Sequence, residues 1–491
     1  MTSDPPSYDV IVIGAGVVGP CIATQLARQG KKVLIVERDW SEPNRIVGEL
    51  MQPSGLMALK NLGMLSVIND IEAIPVFGYY IGFFNQNLKL KYPFKNDAIG
   101  SYDDNVETVS LVQQLHDDST IKVSSWEEDE RVRGVAFRHG KFISNLRQFV
   151  KNEPNVEWLE ATVKEIVKNT DLSSEEHGKV IGIKLSNGDF KQGKLVISTD
   201  GIYSNFRKEL TSKVPSVESY FISLCLHDCV LPAKNHGHVL LGDHYPILVY
   251  QISPSETRIL CAYKSNKLPS QKTVIEYLNK KILPNLPDSV KPSFKFAIDN
   301  LDKENYKIMP NQYLTAEKNV IPGLLIIGDA LNMRHPLTGG GMTVGLNDVV
   351  LVSKLLSQVD NFEDTSAVLE QLLLFHDERK NLDSVINVLS IALFQLFSAE
   401  NKYLSILQRG CFAYFQLGNN CVAGPIGLLS GTIPKPLVLF QHFFSVAFYA
   451  IYLNFLKRGI LGFPLAIVEA IGTLYTAIVV FTPYLYLEML G

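Results

Sequence analysis

Tyr8-Asp9-Val10-Ile11-Val12-Ile13-Gly14-Ala15-Gly16-Val17-Val18-Gly19 is the stretch that decides the fold. Its apolar half reads as a short strand, and its glycine-rich half as a turn. A helix follows over roughly Pro20–Gln29, then a second strand over Val33–Val36 that Glu37 closes. This strand–turn–helix–strand order opens a doubly wound sheet. Gly14 permits the tight turn, Gly16 lets the backbone approach a pyrophosphate, and Gly19 lets the helix pack closely on the strand. Unpaired N–H groups and the helix dipole then favour an anion at the helix start. Glu37 lies at about the 20-residue spacing expected of a carboxylate that grips a ribose hydroxyl. A purely structural glycine turn is the competing reading, and it does not explain an acid in that register.

Two later stretches separate the candidate cofactors. Val196-Ile197-Ser198-Thr199-Asp200-Gly201 is another apolar strand ending in an Asp-Gly turn. Leu325-Ile326-Ile327-Gly328-Asp329-Ala330 is a third, and it leads into Pro336-Leu337-Thr338-Gly339-Gly340-Gly341-Met342. A carboxylate at a strand's carboxyl end, ahead of a glycine-rich helix start, suits a cofactor longer than a nicotinamide dinucleotide. Asp329 accepts from ribityl hydroxyls, while the backbone after Thr338 approaches the pyrophosphate and ring. FAD fits all three elements.

Around these motifs the chain divides by composition. From about Asn85 to Arg131 it is polar and charged and reads as a solvated insertion. Between Phe206 and Asn300 the segments His238–Leu241, Pro246–Ile252 and Thr257–Tyr263 are strand-like, with a turn at Ser253–Glu256. Helical patterns dominate from Met342 onward. The expected fold is α/β: a Rossmann-like FAD-binding domain over 1–205 and 301–360, with part of the substrate pocket near 75–135. A β-rich substrate domain is inserted over 206–300, a helical region follows over 361–433, and membrane-embedded helices occupy 434–491.

Lys and Arg number 46 against 50 Asp and Glu, for a net charge of −4, and no basic face for nucleic acid is expected. Six cysteines form no disulfide framework, and the polar Met1–Ser7 is unlike a cleaved leader, so the catalytic part is expected to face the cytosol. Cys225, His227 and Cys229 alternate within a strand-like stretch, but the spacing lacks the paired pattern of a zinc site, and no metal is expected.

The chain resembles the squalene monooxygenase (squalene epoxidase) family, of the fungal type, within the flavoprotein monooxygenases. The resemblance rests on Glu37-Arg38-Asp39-Trp40, Arg45-Ile46-Val47-Gly48-Glu49, Tyr250-Gln251-Ile252-Ser253 and, above all, Asp329 through Met342. It implies flavin contacts at Val17, Val18, Glu37, Arg38, Arg45, Leu50, Arg147, Val163, Asp329 and Met342. It places Tyr79 beside flavin and substrate, holding Gln52 near the reacting alkene. The chemistry it implies takes a reduced flavin, O2, squalene and a dry pocket, so no acid–base triad is required. Electrons are implied to come from NADPH through a membrane-bound reductase of the cytochrome P450 reductase type. The implied location is the cytosolic face of the endoplasmic reticulum membrane, with lipid droplets as a second site.

Leu437–Leu456 and Ile460–Leu490 are apolar stretches split by Lys457-Arg458, each near the length that spans a bilayer. Pro464, Pro483, Gln441, His442 and Glu469 interrupt or bound them. An acid in a span costs up to about 3 kcal/mol, so a helical pair embedded in one leaflet with lipid contact is the expectation. Two alternatives stay open: a flavin-dependent hydroxylase or reductase of another isoprenoid, and a non-redox prenyl-protein escort module.

Overall fold

The computed structural model describes residues 7–92, 132–174, 176–302 and 305–490. Strand β1 (Tyr8–Ile13) runs through the first turn into helix α1 (Val18–Arg28) and back along β2 (Val33–Glu37). Four further strands, β8 (Val156–Glu160), β9 (Val163–Lys168), β10 (Val180–Leu185) and β11 (Phe190–Ser198), join them, and β17 (Leu324–Ile326) completes the sheet. Val10 pairs with Val33 on one side and Leu195 on the other, both in parallel register. The long β11 serves two neighbourhoods. Its first half pairs antiparallel with β10, and its second half lies parallel to β1 and β17.

Both faces of this sheet are covered, which is why its central strands read as continuous apolar runs. Val10, Val12, Ile35 and Ile197 face one core with α1 and with α3 (His139–Lys151). Ile11, Ile13, Val36 and Val196 face the other core with the β9–β10 pair.

A second seven-stranded sheet has the order β16–β12–β15–β14–β13–β5–β6. Its strands are β5 (Gly78–Phe83), β6 (Gln86–Lys91), β12 (Ser216–His227), β13 (Gly237–Leu241), β14 (Ile247–Gln251), β15 (Glu256–Lys264) and β16 (Tyr306–Tyr313). The segment from Asn85 is therefore not solvated from its start. Leu88 and Leu90 alternate with Lys89 and Lys91, a half-buried strand pattern, and β6 pairs with β5 over its whole length. Most of the polar stretch, residues 93–131, lies outside the described residues. The segment following β15 is helical, with α4 (Gln271–Tyr277) and α5 (Lys291–Asp299) covering the outer face of the sheet. A small sheet of β3 (Leu50–Met51), β7 (Gly134–Ala136) and β4 (Ile74–Val76) flanks the β5–β6 hairpin in sequence.

The remaining helices are α2 (Pro53–Asn61), α6 (Gly341–Leu356), α7 (Thr365–Ser398), α8 (Lys402–Gln416), α9 (Asn420–Leu429), α10 (Pro436–Arg458) and α11 (Phe463–Leu490). Helices α7, α10 and α11 are long and apolar enough to cross a membrane. They differ in what covers them: two-thirds of the apolar window of α7 is buried inside the protein, against 22% for α10 and 28% for α11. Helix α7 is thus a core helix, and the other two carry bare apolar faces. Glu469 on α11 is buried but not alone, because Arg458, Asn454 and Lys402 all donate to its carboxylate at 2.5–2.9 Å.

Helix α11 is also tied inward at its far end. Glu488 accepts from Tyr313 at 2.6 Å and from Asn387 at 3.0 Å, and Phe481 is fully buried against Val385, Val388 and Leu428. The terminal pair is consequently part of the core packing, and cutting it away would strip α7. Phe481→Ala is expected to lower stability by about 3–5 kcal/mol, read by denaturation in detergent. A loss below about 1 kcal/mol would show that α11 rides loosely on the protein.

Candidate active site

The first glycine turn meets the end of β11. Gly14 has φ +98°, and a Cβ there would lie 2.9 Å from the Thr199 carbonyl oxygen. At Gly19 a Cβ would lie 1.9 Å from the Gly14 oxygen. Gly16 differs, since nothing lies within 4 Å of the Cβ it lacks, and it lines a large cavity. The turn is braced from behind. Ala15 N–H donates to Glu37 Oε2 at 2.7 Å, and Arg147 Nε donates to the Ala15 oxygen at 2.9 Å. Arg38 and Asp39 N–H groups donate to Glu37 Oε1 at 2.9 and 3.2 Å. Three of the roughly four acceptor positions of that carboxylate are thereby filled.

The cavity has a volume of about 420 Å³ and lies between the two large sheets. Gly16, Val17, Val18, Arg45, Leu50, Gln52, Tyr79, Asp329 and Met342 all line it. Gly14, Gly19, Glu37, Arg38, Arg147 and Val163 do not. The first five of these shape or flank the turn, while Val163 starts β9 and is partly buried against the core cluster that includes Val36.

Asp329 sits in the 3-10 turn Gly328–Ala330 at the end of β17. Burial raises its carboxyl above the ordinary range, against the pull of Arg334, Arg45 and Arg207. Among the described residues no protein group is seen to hydrogen-bond this carboxylate. Gly341, at the start of α6, likewise has nothing where a Cβ would be. An uncommitted carboxylate and two open glycines along one wall suit a long ligand that brings hydroxyls and a phosphate. FAD is such a ligand, and the residues fit it.

Arg334 supports this wall from inside the protein. Its Nε donates to Asn387 Oδ1 at 2.7 Å, and its Nη1 to the Gly341 oxygen at 3.3 Å. His335 accepts from Leu337 N–H at Nδ1 (3.2 Å), so Nε2 carries the proton and donates to Ser219 Oγ at 3.0 Å. The ring stacks on Phe394 with centroids 4.0 Å apart, and burial lowers its pKa to about 3. His139 Nδ1 donates to the Gly48 oxygen at 2.9 Å, and burial lowers that group to about 4.

At the opposite end of the cavity, polar atoms cluster on one amide. Tyr79 and Tyr92 each place a hydroxyl 2.7 Å from Gln52 Oε1, and Gln52 Nε2 donates to the Thr338 oxygen at 2.6 Å. Burial raises both phenols above their ordinary range, so both stay protonated. Nearby, Arg258 holds Glu49 by two bonds, 2.7 and 2.8 Å long. Burial raises the Glu49 carboxyl and Arg258 opposes the shift. Leu248, Leu260 and Leu337 supply the apolar lining between.

The squalene epoxidase family model matches residues 192–468, and that of the FAD dependent oxidoreductases matches residues 9–44. The chain belongs to the squalene epoxidase family. It is an FAD-dependent monooxygenase. The squalene epoxidase of Candida albicans is 54% identical to it, over 98% of this chain and 99% of that protein. That of Saccharomyces cerevisiae is 52% identical over 99% and 97%, and the squalene monooxygenase of Rattus norvegicus 37% over 99% and 79%. Among solved structures, p-nitrophenol 4-monooxygenase PnpA from Pseudomonas putida matches with TM-score 0.65 at 17% identity, over 88% of this chain and 99% of that one. That likeness shows the fold alone.

Sequence reasoning missed Tyr92, Arg258, Arg334 and the fixed tautomer of His335. Arg258 is 209 residues from the acid it pairs with. Cys225 and Cys229 gather no third ligand, and no group of residues able to hold a metal occurs among the described residues.

His335 and His139, two of the buried imidazoles, predict a pH response. Their folded pKa values lie below the usual value of about 6.5, so between about pH 6.5 and pH 4 the unfolded chain binds protons that the native state refuses. Stability must fall as pH falls through that window. His335→Gln should flatten the slope by about one proton, measured as denaturation midpoint against pH. An unchanged slope would mean that His335 is protonated in the native state.

Proposed function

We propose that the protein epoxidises squalene, placing one atom of O2 across a terminal double bond while the other leaves as water. Two electrons and two protons balance the step. The observation that carries this reading is the meeting of two differently equipped ends in one cavity. One end has the open glycines and Asp329; the other has the Gln52 amide amid apolar side chains.

In this reading Gly14, Gly16 and Gly19 form the pyrophosphate turn, and Val17 and Val18 offer backbone N–H groups. Glu37 keeps one acceptor position for a ribose hydroxyl, and Arg38 flanks it. Arg147 braces the turn, and Val163 lies toward the adenine side. Arg45 supplies positive charge along the cavity, Asp329 accepts from the ribityl chain, and Leu50 and Met342 border the ring. Bound FAD, once reduced, supplies the oxygen-activating chemistry. The protein's own part is to exclude water with Leu248, Leu260 and Leu337 and to orient the alkene beside Gln52, with Tyr79 holding the amide.

The substrate itself argues for lipid contact. At about 0.8 kcal/mol per buried CH2, a hydrocarbon of this length gains on the order of 20 kcal/mol by leaving water. Helices α10 and α11 expose Leu437, Phe448, Tyr452, Ile471 and Tyr475, a surface suited to one leaflet. The reading places the protein on the cytosolic face of the endoplasmic reticulum membrane, and on lipid droplets.

Electrons are assigned to a separate membrane-bound reductase that draws on NADPH. One glycine fingerprint is present and FAD takes it. Asp200, in the Asp-Gly turn after β11, has its carboxylate tied into its own turn, accepting from Ser198 at 2.7 Å and from Asn205 N–H at 2.8 Å.

Asp329→Ala should purify with most of its flavin lost, read from the visible absorbance per protein, and full occupancy would remove Asp329 from the cofactor site. Separately, NADPH alone under anaerobic conditions should leave the flavin absorbance of wild-type protein intact, and added reductase should bleach it. Rapid bleaching without the reductase would refute the two-protein electron route.

A further inference from the structure

Gln52 is held by more groups than one tyrosine. Its Oε1 faces two phenols at 2.7 Å, from Tyr79 and Tyr92, and the two phenol oxygens are themselves 3.2 Å apart. The rings meet edge to face with centroids 5.7 Å apart. Three oxygen–oxygen contacts thus share two hydroxyl protons. A carboxamide oxygen has two acceptor positions, and here both have a donor within reach. On the other side, Nε2 spends one of its two N–H groups on the Thr338 oxygen.

This arrangement admits one amide orientation. Turning the amide over would place Oε1 against the Thr338 oxygen, two acceptors face to face. It would also aim N–H groups at two phenols that then lose their acceptor. Buried donors without partners cost about 1–3 kcal/mol each, so the turned form is scarce. Among the described residues, one N–H of Gln52 is left as the amide's unspent polar valence. Gly339 has no side chain to cover it: a Cβ there would lie 3.4 Å from Nε2.

Gln52 and Tyr79 line the cavity, whereas Tyr92 stands behind them at the end of β6. We infer that Tyr92 is a positioning residue for epoxidation, which fixes the Gln52 amide so that its free N–H points at the reacting alkene and oxygen. This rests on the reading of Gln52 as a substrate-side residue given above. Tyr92 touches neither cofactor nor substrate in this account. It acts by holding Oε1 jointly with Tyr79, and its effect should vanish when the amide is absent.

The test is a two-by-two set on full-length holoenzyme in detergent: wild type, Tyr92→Phe, Gln52→Ala and the double variant. Each is reduced anaerobically with dithionite, then mixed with O2 and squalene. The rate of epoxide formation, the squalene concentration giving half the maximal rate, and H2O2 released per flavin are measured. Flavin content and denaturation midpoint report integrity. Loss of one buried hydrogen bond corresponds to about a tenfold fall in rate. Tyr92→Phe should therefore slow epoxide formation about tenfold and raise H2O2, with half-saturation changed less than about twofold. In the Gln52→Ala background the same change should have less than about a twofold effect. Equal falls in both backgrounds, or no fall in wild type, would overturn the inference. Gln52→Ala with wild-type rate and yield would instead remove Gln52 from the substrate site, and Tyr92 with it.

Discussion

The cavity depends on how closely the first glycine turn approaches the end of β11. Gly19 stands against the Gly14 oxygen and the Thr199 hydroxyl, at distances no Cβ survives. Thr199 Oγ1 in turn reaches the oxygens of Ile13 and Gly14, both at 2.9 Å. The ends of β1 and β11 and the start of α1 are thereby held in one place. Asp329 leaves the sheet one strand further along, so its distance from the turn follows from the parallel register of β11 with β17. A larger side chain at Gly14 or Gly19 would separate these ends and open the wall against which a cofactor is aligned.

Charge inside the protein is kept local and compensated. Arg258 neutralises Glu49 beside the cavity that Gln52 also lines, and Arg379 holds Asp348 at 2.8 Å and also pairs with Asp383 under α6. Such pairs add little net stability, since desolvation offsets most of their attraction, but losing one partner leaves a costly bare charge. Their use here is positional: they let acids and arginines fix the walls without placing an exposed charge in the apolar lining. The Arg334–Asn387–Glu488 chain extends the same logic to α11, so the helix with the bare apolar face is wired to the loop that ends in Gly341.

Local constraints were legible in the sequence. Gly19 has a reason set by its near neighbour Gly14, whose oxygen a Cβ would meet at 1.9 Å, and the β1–α1–β2 order follows from a run of buried Val and Ile. The contact between Gln52 and Tyr79 was legible through family resemblance, not through spacing. Tyr92 was not, because it closes a Lys–Leu alternation at the edge of a charged stretch, where the charge masks a half-buried strand. The pairing of Glu49 with Arg258 depends on the docking of two sheets and leaves no mark in either segment. Helices α4 and α5 escaped for a similar reason: their apolar residues, such as Val274 and Phe294, are few and become meaningful against the outer face of the second sheet.

A cavity with one oriented amide amid apolar side chains at one end and a flavin frame at the other makes a single commitment about chemistry: the oxygen that enters the substrate comes from O2. The most direct test is one turnover of the wild-type holoenzyme, reduced anaerobically and then mixed with squalene and 18O2 in ordinary water. The account predicts an epoxide that carries 18O, with the flavin reoxidised and little H2O2 released. Flavin reoxidation with stoichiometric H2O2 and no epoxide, or an epoxide whose oxygen comes from water, would contradict it.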